Sequence, residues 1–426
     1  MTIAPSQRTD LRPPFDALGR QPSLLSINAY HYHRGGADNV YLAHAALFEQ
    51  RGWRSSFQSM HHPSNLPSPD SPYFAEEINY AARGDIGRSL LGAQRIVYSR
   101  EAQAKMAALL DSRPVDIAHV HSVYHHQSPS VLVELKRRGV PVVLTAHDLK
   151  LACPAYTMLN RTGICEQCRG GKVWNVAKNR CIKGSLVAST LIMVESAVHK
   201  ALNLYDRNVD RIVTPSAFYR DKLIEWGWAP DKIVHIRNFA DLPDAPPPFA
   251  PSDHLLYFGR LSPEKGLATV VRAAAATGIP VRLAGTGPQE AELRALVAEL
   301  DAPVSFLGFL SGDALWAAVD GCRATILASE WYENGPMSAI EAFGRGKPLI
   351  GARIGGIPEL IEDGVNGWRF ASGDVDDLSR AMTAAMACSE GELRSMAEAC
   401  HARAARDYAP DQYYAAMSDV YAALKR

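Results

Sequence analysis

Short apolar segments, each followed by a turn and a helical pattern, recur along almost the whole chain, and this alternation constrains the fold most strongly. The first segment, Leu24–Ile27, leads into Arg34-Gly35-Gly36-Ala37 and then into a helical pattern over Tyr41–Arg51. Strands that alternate with helices form parallel sheets through right-handed crossovers. We therefore expect an α/β protein with doubly wound sheets, whose ligands bind beyond the carboxyl ends of the strands.

A proline-dense segment divides this alternation into two series. Residues 241–253 include five prolines, and such a run continues neither a helix nor a central strand. We predict a tail over 1–22, one domain over 23–240, a linker over 241–253 and a second domain over 254–409. A last helix over 410–426 can pack on either domain, including by crossing back to the first. The predicted strands are Leu24–Ile27, Asp116–Val120, Val140–Thr145 and Arg211–Thr214 before the linker, and Leu255–Phe258, Val281–Ala284, Val304–Leu307, Ala324–Leu327 and Pro348–Ile350 after it.

The distribution of charge and hydrophobicity excludes two broad classes of protein. The chain has 45 basic and 45 acidic residues, which does not favour a nucleic-acid partner. Residues 1–200 carry 23 Lys and Arg against 15 Asp and Glu, so this half suits an anionic lipid surface or a phosphate-bearing substrate, or is a solvated surface. No apolar run reaches the roughly 18 residues of a membrane span. Because residues 1–22 also lack the apolar core of a secretory signal, we expect a cytoplasmic protein.

The segment from Glu333 to Pro348 predicts a helix that begins at a ligand site. Pro336 suits the first helical position, and Gly346 with Pro348 suits the end of the helix. Free N–H groups at such a helix start bind anions such as a diphosphate. Glu333 and Glu341 would lie roughly 12 Å apart if the residues between them were helical. That separation is too large for a pair of carboxylates acting on one bond, so we expect them to hold different parts of one long ligand, unless they are merely a helix cap and a surface carboxylate.

Two cations follow the first strand of the second domain. Arg260 and Lys265 lie five residues apart in a glycine-bordered turn, where a guanidinium and an ammonium can converge on one phosphate pair. An isolated basic loop would be unremarkable, but this one accompanies an anion-binding helix start in the same domain. Asp374-Val-Asp376 could suggest a divalent-ion site, but Asp374 immediately precedes a helical pattern, which favours a capping role.

These motifs, in this order and spacing, resemble the retaining glycosyltransferases of family four, which have the GT-B fold of two Rossmann-like domains facing across a cleft. The resemblance extends over roughly residues 24–420. The residues that carry it are Arg260, Lys265, the Gly285-Thr-Gly287-Pro288 turn, Glu333, Glu341 and Gly355-Gly356-Ile-Pro-Glu359 in the second half, and Gly35-Gly36 and His147-Asp148 in the first.

The resemblance implies a role for each motif. The first domain would bind the acceptor, and the second would bind a UDP-, GDP- or ADP-sugar. Catalysis would need no metal or other cofactor, would retain the anomeric configuration, and would rely on the departing phosphate to help deprotonate the acceptor. The implied site consists of Glu333 and His147 as catalytic residues; Gly36, Arg260, Lys265, Gly335, Pro336 and Met337 at the diphosphate; Glu341 at the ribose; and Asn334, Phe309 and Leu310 at the sugar or base.

Four of the seven cysteines lie within 29 residues of one another, after His147. The spacing Cys153-x11-Cys165-x2-Cys168-x12-Cys181 includes one Cys-x2-Cys pair, and six Lys and Arg against one Glu between Arg161 and Lys183 would offset a charged metal–thiolate centre. Four thiolates satisfy tetrahedral zinc, so we favour a structural zinc site, with buried free thiols and disulfides as alternatives. Because the cluster follows His147, we expect it to shape acceptor choice.

Together these features favour an enzyme that transfers a hexose from a nucleotide sugar to a saccharide or lipid-linked acceptor during synthesis of a cell-surface polysaccharide or glycoconjugate. Its expected location is the inner face of the cytoplasmic membrane, contacted through the basic first half. Two alternatives remain. A nucleotide-sugar epimerase of the same fold would need no acceptor, and a non-catalytic nucleotide-sugar-binding partner subunit would have a broken site.

Overall fold

Two six-stranded parallel sheets, one in each half of the chain, form the framework of the computed structural model. The structure describes residue 15 and residues 19–78, 86–248 and 252–425. Most of the predicted tail and positions 249–251 of the predicted linker lie outside the described residues.

The first sheet has the strand order β2-β1-β3-β4-β7-β8. Apolar strands are buried here because helices cover both faces, as in other parallel sheets. The elements are β1 (Ser23–Ile27), α1 (Gly36–Gln50), β2 (Arg54–Gln58), α2 (Ile86–Val97), α3 (Arg100–Ser112), β3 (Ile117–Val120), α4 (Ser130–Arg137), β4 (Val142–Thr145), the hairpin β5 (Leu159–Asn160) and β6 (Gly163–Ile164), α5 (Asn175–Lys178), α6 (Leu186–Ala201), β7 (Arg211–Thr214), α7 (Ala217–Glu225) and β8 (Ile233–His235).

The second sheet has the order β11-β10-β9-β12-β13-β14. All four residues of β9 and of β12 are buried, which places these strands in the centre of the second core. The elements are β9 (Leu255–Phe258), α8 (Leu267–Thr277), β10 (Val281–Ala284), α9 (Glu290–Leu300), β11 (Val304–Gly308), α10 (Gly312–Asp320), β12 (Ala324–Leu327), α11 (Met337–Gly344), β13 (Leu349–Ala352), β14 (Gly367–Phe370), α12 (Val375–Ala387), α13 (Glu390–Asp407) and α14 (Pro410–Leu424).

The direction of strand addition reverses once in each sheet. In the first sheet the reversal lies between β1 and β3, and in the second it lies between β9 and β12. Helices on the two sides of such a point diverge and leave a crevice beyond the carboxyl ends of the strands. Gly35 and Gly36 at the start of α1, the loop after β9 and the segment between β12 and α11 therefore border the two crevices.

The C-terminal helix joins the two halves. Helix α13 packs on α11 of the second domain, whereas α14 buries Tyr414, Met417 and Tyr421 in an apolar cluster with Leu24 and Phe48 of the first domain. Burial of one large apolar side chain contributes about 1.5–3 kcal/mol. This helix therefore fastens the end of the second half to the first sheet.

Three strands of the two parallel sheets and both strands of the β5–β6 hairpin are absent from the sequence prediction, and the start of α11 differs from it. The missed strands β2, β8 and β14 are edge strands with partly exposed residues, so their apolar signal is weak. Pro336 occupies the N-cap of α11 rather than its first helical position. Asp374 caps α12, because its side chain accepts a hydrogen bond from the N–H of Asp377 at 2.9 Å. No helix in the described part of the chain combines the length and the apolar character that a membrane crossing needs.

Candidate active site

The segment that precedes α11 is held by both domains. The side-chain amide of Asn334 donates to the carbonyl of Ala146 at 2.6 Å and accepts from the hydroxyl of Ser216 at 2.8 Å. The amide of Asn238 donates to the carbonyl of Gly335 at 3.1 Å. Because Ala146 immediately precedes His147, these bonds bring the predicted catalytic residues of the two domains, His147 and Glu333, to one cleft.

The N-terminal ends of α1 and α11 meet across this cleft. A Cβ added at Gly36, the first residue of α1, would lie 3.7 Å from the Cγ of Met337, the first residue of α11. The first N–H groups of a helix have no partner within the helix and carry the positive end of its dipole. Two helix starts therefore direct positive potential into one gap, and this arrangement suits a diphosphate.

Two glycines of the second domain are required beside this gap. Gly335 has a φ of 75°, and a Cβ there would lie 2.8 Å from the Cβ of Pro215 in the first domain. Gly355 has a φ of 58°, and its Cβ would lie 2.5 Å from the backbone nitrogen of Glu333. Side chains at these positions would push the two domains apart or displace Glu333.

Glu333 is buried and fixed by three donors. Its Oε1 accepts from Lys265 Nζ at 2.6 Å, from the hydroxyl of Ser329 at 2.6 Å and from the indole N–H of Trp331 at 2.9 Å. Burial raises the pKa of Glu333, but Lys265 and the hydrogen bonds lower it more, so the net pKa lies below its ordinary value. The carboxylate is thus ionised, and all three bonds go to Oε1 rather than Oε2.

Glu341 and Arg260 lack such partners. Glu341 lies in the second turn of α11 and is half-buried, and no described residue forms a hydrogen bond or ion pair with its carboxylate. Burial raises the pKa of Glu341 to about 7. The Arg260 side chain is exposed and makes no ion pair within the described residues. Both groups are therefore able to bind a ligand without first breaking a contact.

Three turns at the carboxyl ends of β9, β10 and β11 pack directly on one another. The N–H of Gly285 donates to the carbonyl of Gly308 at 2.7 Å, and a Cβ at Gly285 would overlap the carbonyl oxygen of Gly259 at 1.8 Å. The neighbouring Phe309 is 74% exposed, and Leu310 is half-buried. An exposed aromatic ring beside this rigid set of turns provides a surface on which a planar base can stack.

His147 lies at the end of β4 and is half-buried. Its Nε2 lies 2.8 Å from Nδ1 of His121. Burial lowers the pKa of His147 to about 4, so the ring is neutral near pH 7. A neutral imidazole has one N–H donor and one acceptor, which makes it a hydrogen-bonding group here rather than a cation.

Sequence reasoning did not assign roles to several residues around this cleft. Arg34 stacks over the ring of Tyr30 at 3.5 Å. Burial raises the pKa of Tyr156, and the charges of Arg34 and Arg260 oppose that shift, so basic and aromatic side chains of both domains lie in one region. The position of Arg34 directly before Gly35-Gly36 was the available signal. The carboxylate of Glu359 accepts hydrogen bonds from the N–H groups of Ala217 and Phe218 at the start of α7. The motif that contains Glu359 was recognised in the sequence, but this contact depends on how the two domains dock.

The four clustered cysteines are free thiols that influence one another. Cys153 and Cys168 are buried, and Cys165 and Cys181 are partly buried. Burial first, and then the neighbouring cysteines, raise the pKa of Cys168 to about 12 and that of Cys181 to about 11. Among the described side chains, the potential metal ligands whose donor atoms all lie within 4.8 Å of one another are instead those of His44, His119 and His121.

Two family models match consecutive parts of the chain. The model described as Glycosyltransferase Family 4 matches residues 34–243, and the model described as Glycosyl transferases group 1 matches residues 243–404. The chain belongs to glycosyltransferase family 4. Its two parallel-sheet domains facing across a cleft are the GT-B fold, which confirms the fold predicted from the motifs.

Two curated proteins resemble parts of the chain. Glycogen synthase of Mycobacterium tuberculosis is 30% identical over 242 residues, which are 54% of this chain and 58% of that protein. A putative colanic acid biosynthesis glycosyltransferase, WcaL, of Salmonella typhimurium is 25% identical over 219 residues, which are 47% of this chain and 54% of WcaL. The chain thus aligns with little more than half the length of these curated relatives.

The solved structures extend the likeness over nearly the whole fold. Anabaena Alr3699/HepE, crystallised with UDP and glucose, superimposes with a TM-score of 0.64 at 17% identity and covers 94% of this family 4 chain and 99% of its own. At this level of identity the likeness establishes the shared fold.

Proposed function

We propose that the protein transfers a hexose from a nucleoside-diphosphate sugar to a saccharide or lipid-linked acceptor, with retention of the anomeric configuration. The observation that carries this proposal is the gap between Gly36 and Met337, where two helix starts converge beside Lys265 and Glu333. A diphosphate placed there would accept hydrogen bonds from backbone N–H groups of both domains.

The cations in the second domain complete the diphosphate site. Lys265 is held beside the cleft by Glu333, and Arg260 is exposed and unpaired within the described residues. As the bond between the sugar and the phosphate breaks, negative charge accumulates on the departing phosphate oxygen. Positioned cations and helix N–H groups stabilise that charge without further reorganisation, which is the largest contribution in many enzymes.

The rest of the donor extends along the second domain. Glu341 would accept hydroxyl hydrogens of the ribose through its free carboxylate, and the base would stack on Phe309 beside Leu310. Asn334, Glu333 and His147 would contact the transferred sugar. UDP in the HepE complex supports a nucleoside-diphosphate donor, and UDP-, GDP- and ADP-sugars are all candidate donors.

The proposed chemistry needs only groups of this chain and of the substrates. The bond from the anomeric carbon to the phosphate oxygen breaks, and the acceptor hydroxyl bonds to the same face of that carbon. The hydroxyl proton passes to the departing phosphate. The metal independence that we propose agrees with the role of Asp374, whose carboxylate caps α12.

The first domain offers surfaces for the acceptor and for a membrane. Leu186, Val187 and Val194 of α6 are exposed by 52%, 82% and 43%, and they belong to the half of the chain that has an excess of basic residues. We propose that this surface contacts the inner face of the cytoplasmic membrane, where a lipid-linked acceptor would be presented. The likeness to WcaL supports a role in making a cell-surface polysaccharide.

We also propose that Cys153, Cys165, Cys168 and Cys181 bind a structural zinc ion that orders the loop beside the acceptor side of the cleft. Without a metal the thiols of Cys153, Cys168 and Cys181 are protonated at neutral pH, because burial and the neighbouring cysteines raise their pKa values. Zinc would be bound by the thiolate forms and would offset the repulsion between them.

Turnover of defined donors tests the proposed function. UDP-, GDP- and ADP-sugars are incubated with and without lipid-linked saccharides, and nucleotide release and the anomeric configuration of the product are measured. Acceptor-dependent release of one nucleotide with retention is expected. Conversion of the sugar without an acceptor would indicate an epimerase, and binding without turnover would indicate a non-catalytic subunit.

A further inference from the structure

Four histidine rings lie side by side behind the cleft. The row consists of His44 of α1, His119 of β3, His121 directly after β3, and the proposed catalytic residue His147. Successive ring centroids lie 4.4, 4.6 and 5.1 Å apart. His44, His119 and His121 are almost completely buried. The row leads from the C-terminal helix to the cleft, so its hydrogen bonds determine what His147 presents to a ligand.

The first two rings are fully engaged by hydroxyl groups. His44 bonds Tyr413 through Nδ1 at 2.8 Å and Tyr421 through Nε2 at 3.0 Å. His119 bonds the same Tyr421 hydroxyl through Nδ1 and the hydroxyl of Thr145 through Nε2 at 2.7 Å. A metal ion at this trio would have to displace these bonds, so the geometry favours a hydrogen-bonded network.

His121 differs because only one of its nitrogens has a partner. Its Nδ1 lies 2.8 Å from Nε2 of His147, and its Nε2 is buried without a hydrogen bond in the described structure. The ring is held in place by stacking on His119 at an interplanar angle of 21° and by the edge of Tyr41 at 5.4 Å. It therefore cannot turn to satisfy Nε2 without losing the contact with His147.

Two proton arrangements fit the short contact between these rings. If His147 donates from Nε2, the neutral His121 must carry its proton on Nε2, where it would be a buried N–H without an acceptor. If His121 donates from Nδ1, its buried Nε2 is only an unused lone pair. Buried orphan N–H groups are rarer than under-used acceptors in proteins, so the second arrangement is favoured.

Resting on the proposed function of His147, we infer that His121 is a positioning residue that donates from Nδ1 to Nε2 of His147 and so fixes the His147 proton on Nδ1. No described residue forms a hydrogen bond with Nδ1 of His147. This atom is also not one of the buried polar atoms that lack a partner, so it is not enclosed by the protein. His147 thus presents a neutral N–H donor to an oxygen of the transferred sugar or acceptor. Histidine tautomers are commonly selected through the opposite ring nitrogen in this way.

The test uses His121→Asn and His121→Leu, two side chains of nearly the same shape. The asparagine amide N–H takes the place of Nδ1–H, whereas leucine has no donor. Ring nitrogens of ¹⁵N-histidine-labelled protein are observed by NMR, and His147 is assigned from the spectrum of His147→Gln. We expect Nδ1–H at His147 in the wild type and in His121→Asn, and loss of that tautomer in His121→Leu. Nε2–H at His147 in the wild type would overturn the inference, whether or not the protein is active.

Kinetics provide the second readout. His121→Leu should lower kcat by about 10–100-fold with little change in the donor KM, and His121→Asn should stay within about threefold of the wild type. Because His121 acts through His147, His121→Leu combined with His147→Ala should be no slower than His147→Ala alone. If the kcat losses of His121→Leu and His147→Ala multiply in the double variant, or if His121→Asn and His121→Leu lose the same kcat, then His121 has a merely structural role.

Discussion

Replacing Gly36 tests whether the gap between the two helix starts holds the diphosphate. A Cβ at this position would lie 3.7 Å from Cγ of Met337, which is ordinary contact for a methyl group but leaves no room for a phosphate oxygen between them. Gly36→Ala should therefore remove one charge-assisted hydrogen bond, worth about 1.5–3 kcal/mol. At 1.4 kcal/mol for each factor of ten, kcat/KM should fall roughly 10–100-fold, and Gly36→Val should lose still more.

The stability of Gly36→Ala should change in the opposite direction. Gly36 lies in α1 without a left-handed φ, and alanine is favoured over glycine in a helix by up to about 1 kcal/mol. Thermal unfolding should give a Tm equal to or above that of the wild type. This separates loss of the site from loss of the fold.

Gly35→Ala is the matched control. Its Cβ would lie 3.9 Å from the carboxylate of Asp38 and would face no residue across the cleft. Initial rates at limiting donor should stay within about threefold of the wild type, because the phosphate contacts are kept. Folded Gly36→Ala and Gly36→Val proteins with full kcat/KM would refute the placement of the diphosphate.

Three further predictions concern other parts of the molecule. Because burial raises the pKa of Glu341 to about 7, the donor KM should fall by up to about tenfold as pH rises from 6 to 8 and the carboxylate ionises; Glu341→Gln should abolish this dependence. The same ionisation costs stability as pH rises from the unfolded pKa towards 7, so Glu341→Gln should keep or raise the Tm at pH 8. Asp374→Ala should lower stability by about 1 kcal/mol in thermal unfolding, through loss of the cap of α12, and leave kcat unchanged with or without divalent ions. Elemental analysis should find about one zinc per chain in the wild type and less in Cys168→Ser; below roughly 0.2 equivalents in the wild type, with the thiols paired, the zinc proposal fails.

The parts of the fold that could be predicted are those that local burial determines. Central strands such as Leu255–Phe258 are buried on both faces, and this produces a continuous apolar run that can be read from sequence. Edge strands such as β2 expose residues to solvent, so their polar composition hides them. Local preferences placed the start of α11 within one residue of its position in the structure, because glycine, proline and asparagine have distinct preferences at a helix start.

The contacts between domains could not be predicted from local patterns. The bond from Asn334 to the carbonyl of Ala146 joins residues 188 positions apart, and the capping of α7 by Glu359 depends equally on how the domains dock. His119 and His121 are two residues apart, so their side chains share one side of the strand, and this was the available signal for the histidine row. Their partners on α14 depend on the path of a helix that the sequence allowed to pack on either domain.

Calorimetric titration of UDP, GDP and ADP into the wild type, Arg260→Gln and Lys265→Met tests the central claim most directly. The account predicts that one nucleoside diphosphate binds at one site per chain and that each variant weakens its binding at least about tenfold, since each loses a charge-assisted contact. Arg260 is exposed and unpaired in the described structure, so its replacement should leave the fold unchanged even if Lys265→Met destabilises Glu333. Absence of binding to the folded wild type, or unchanged affinity in Arg260→Gln and Lys265→Met, would contradict the account.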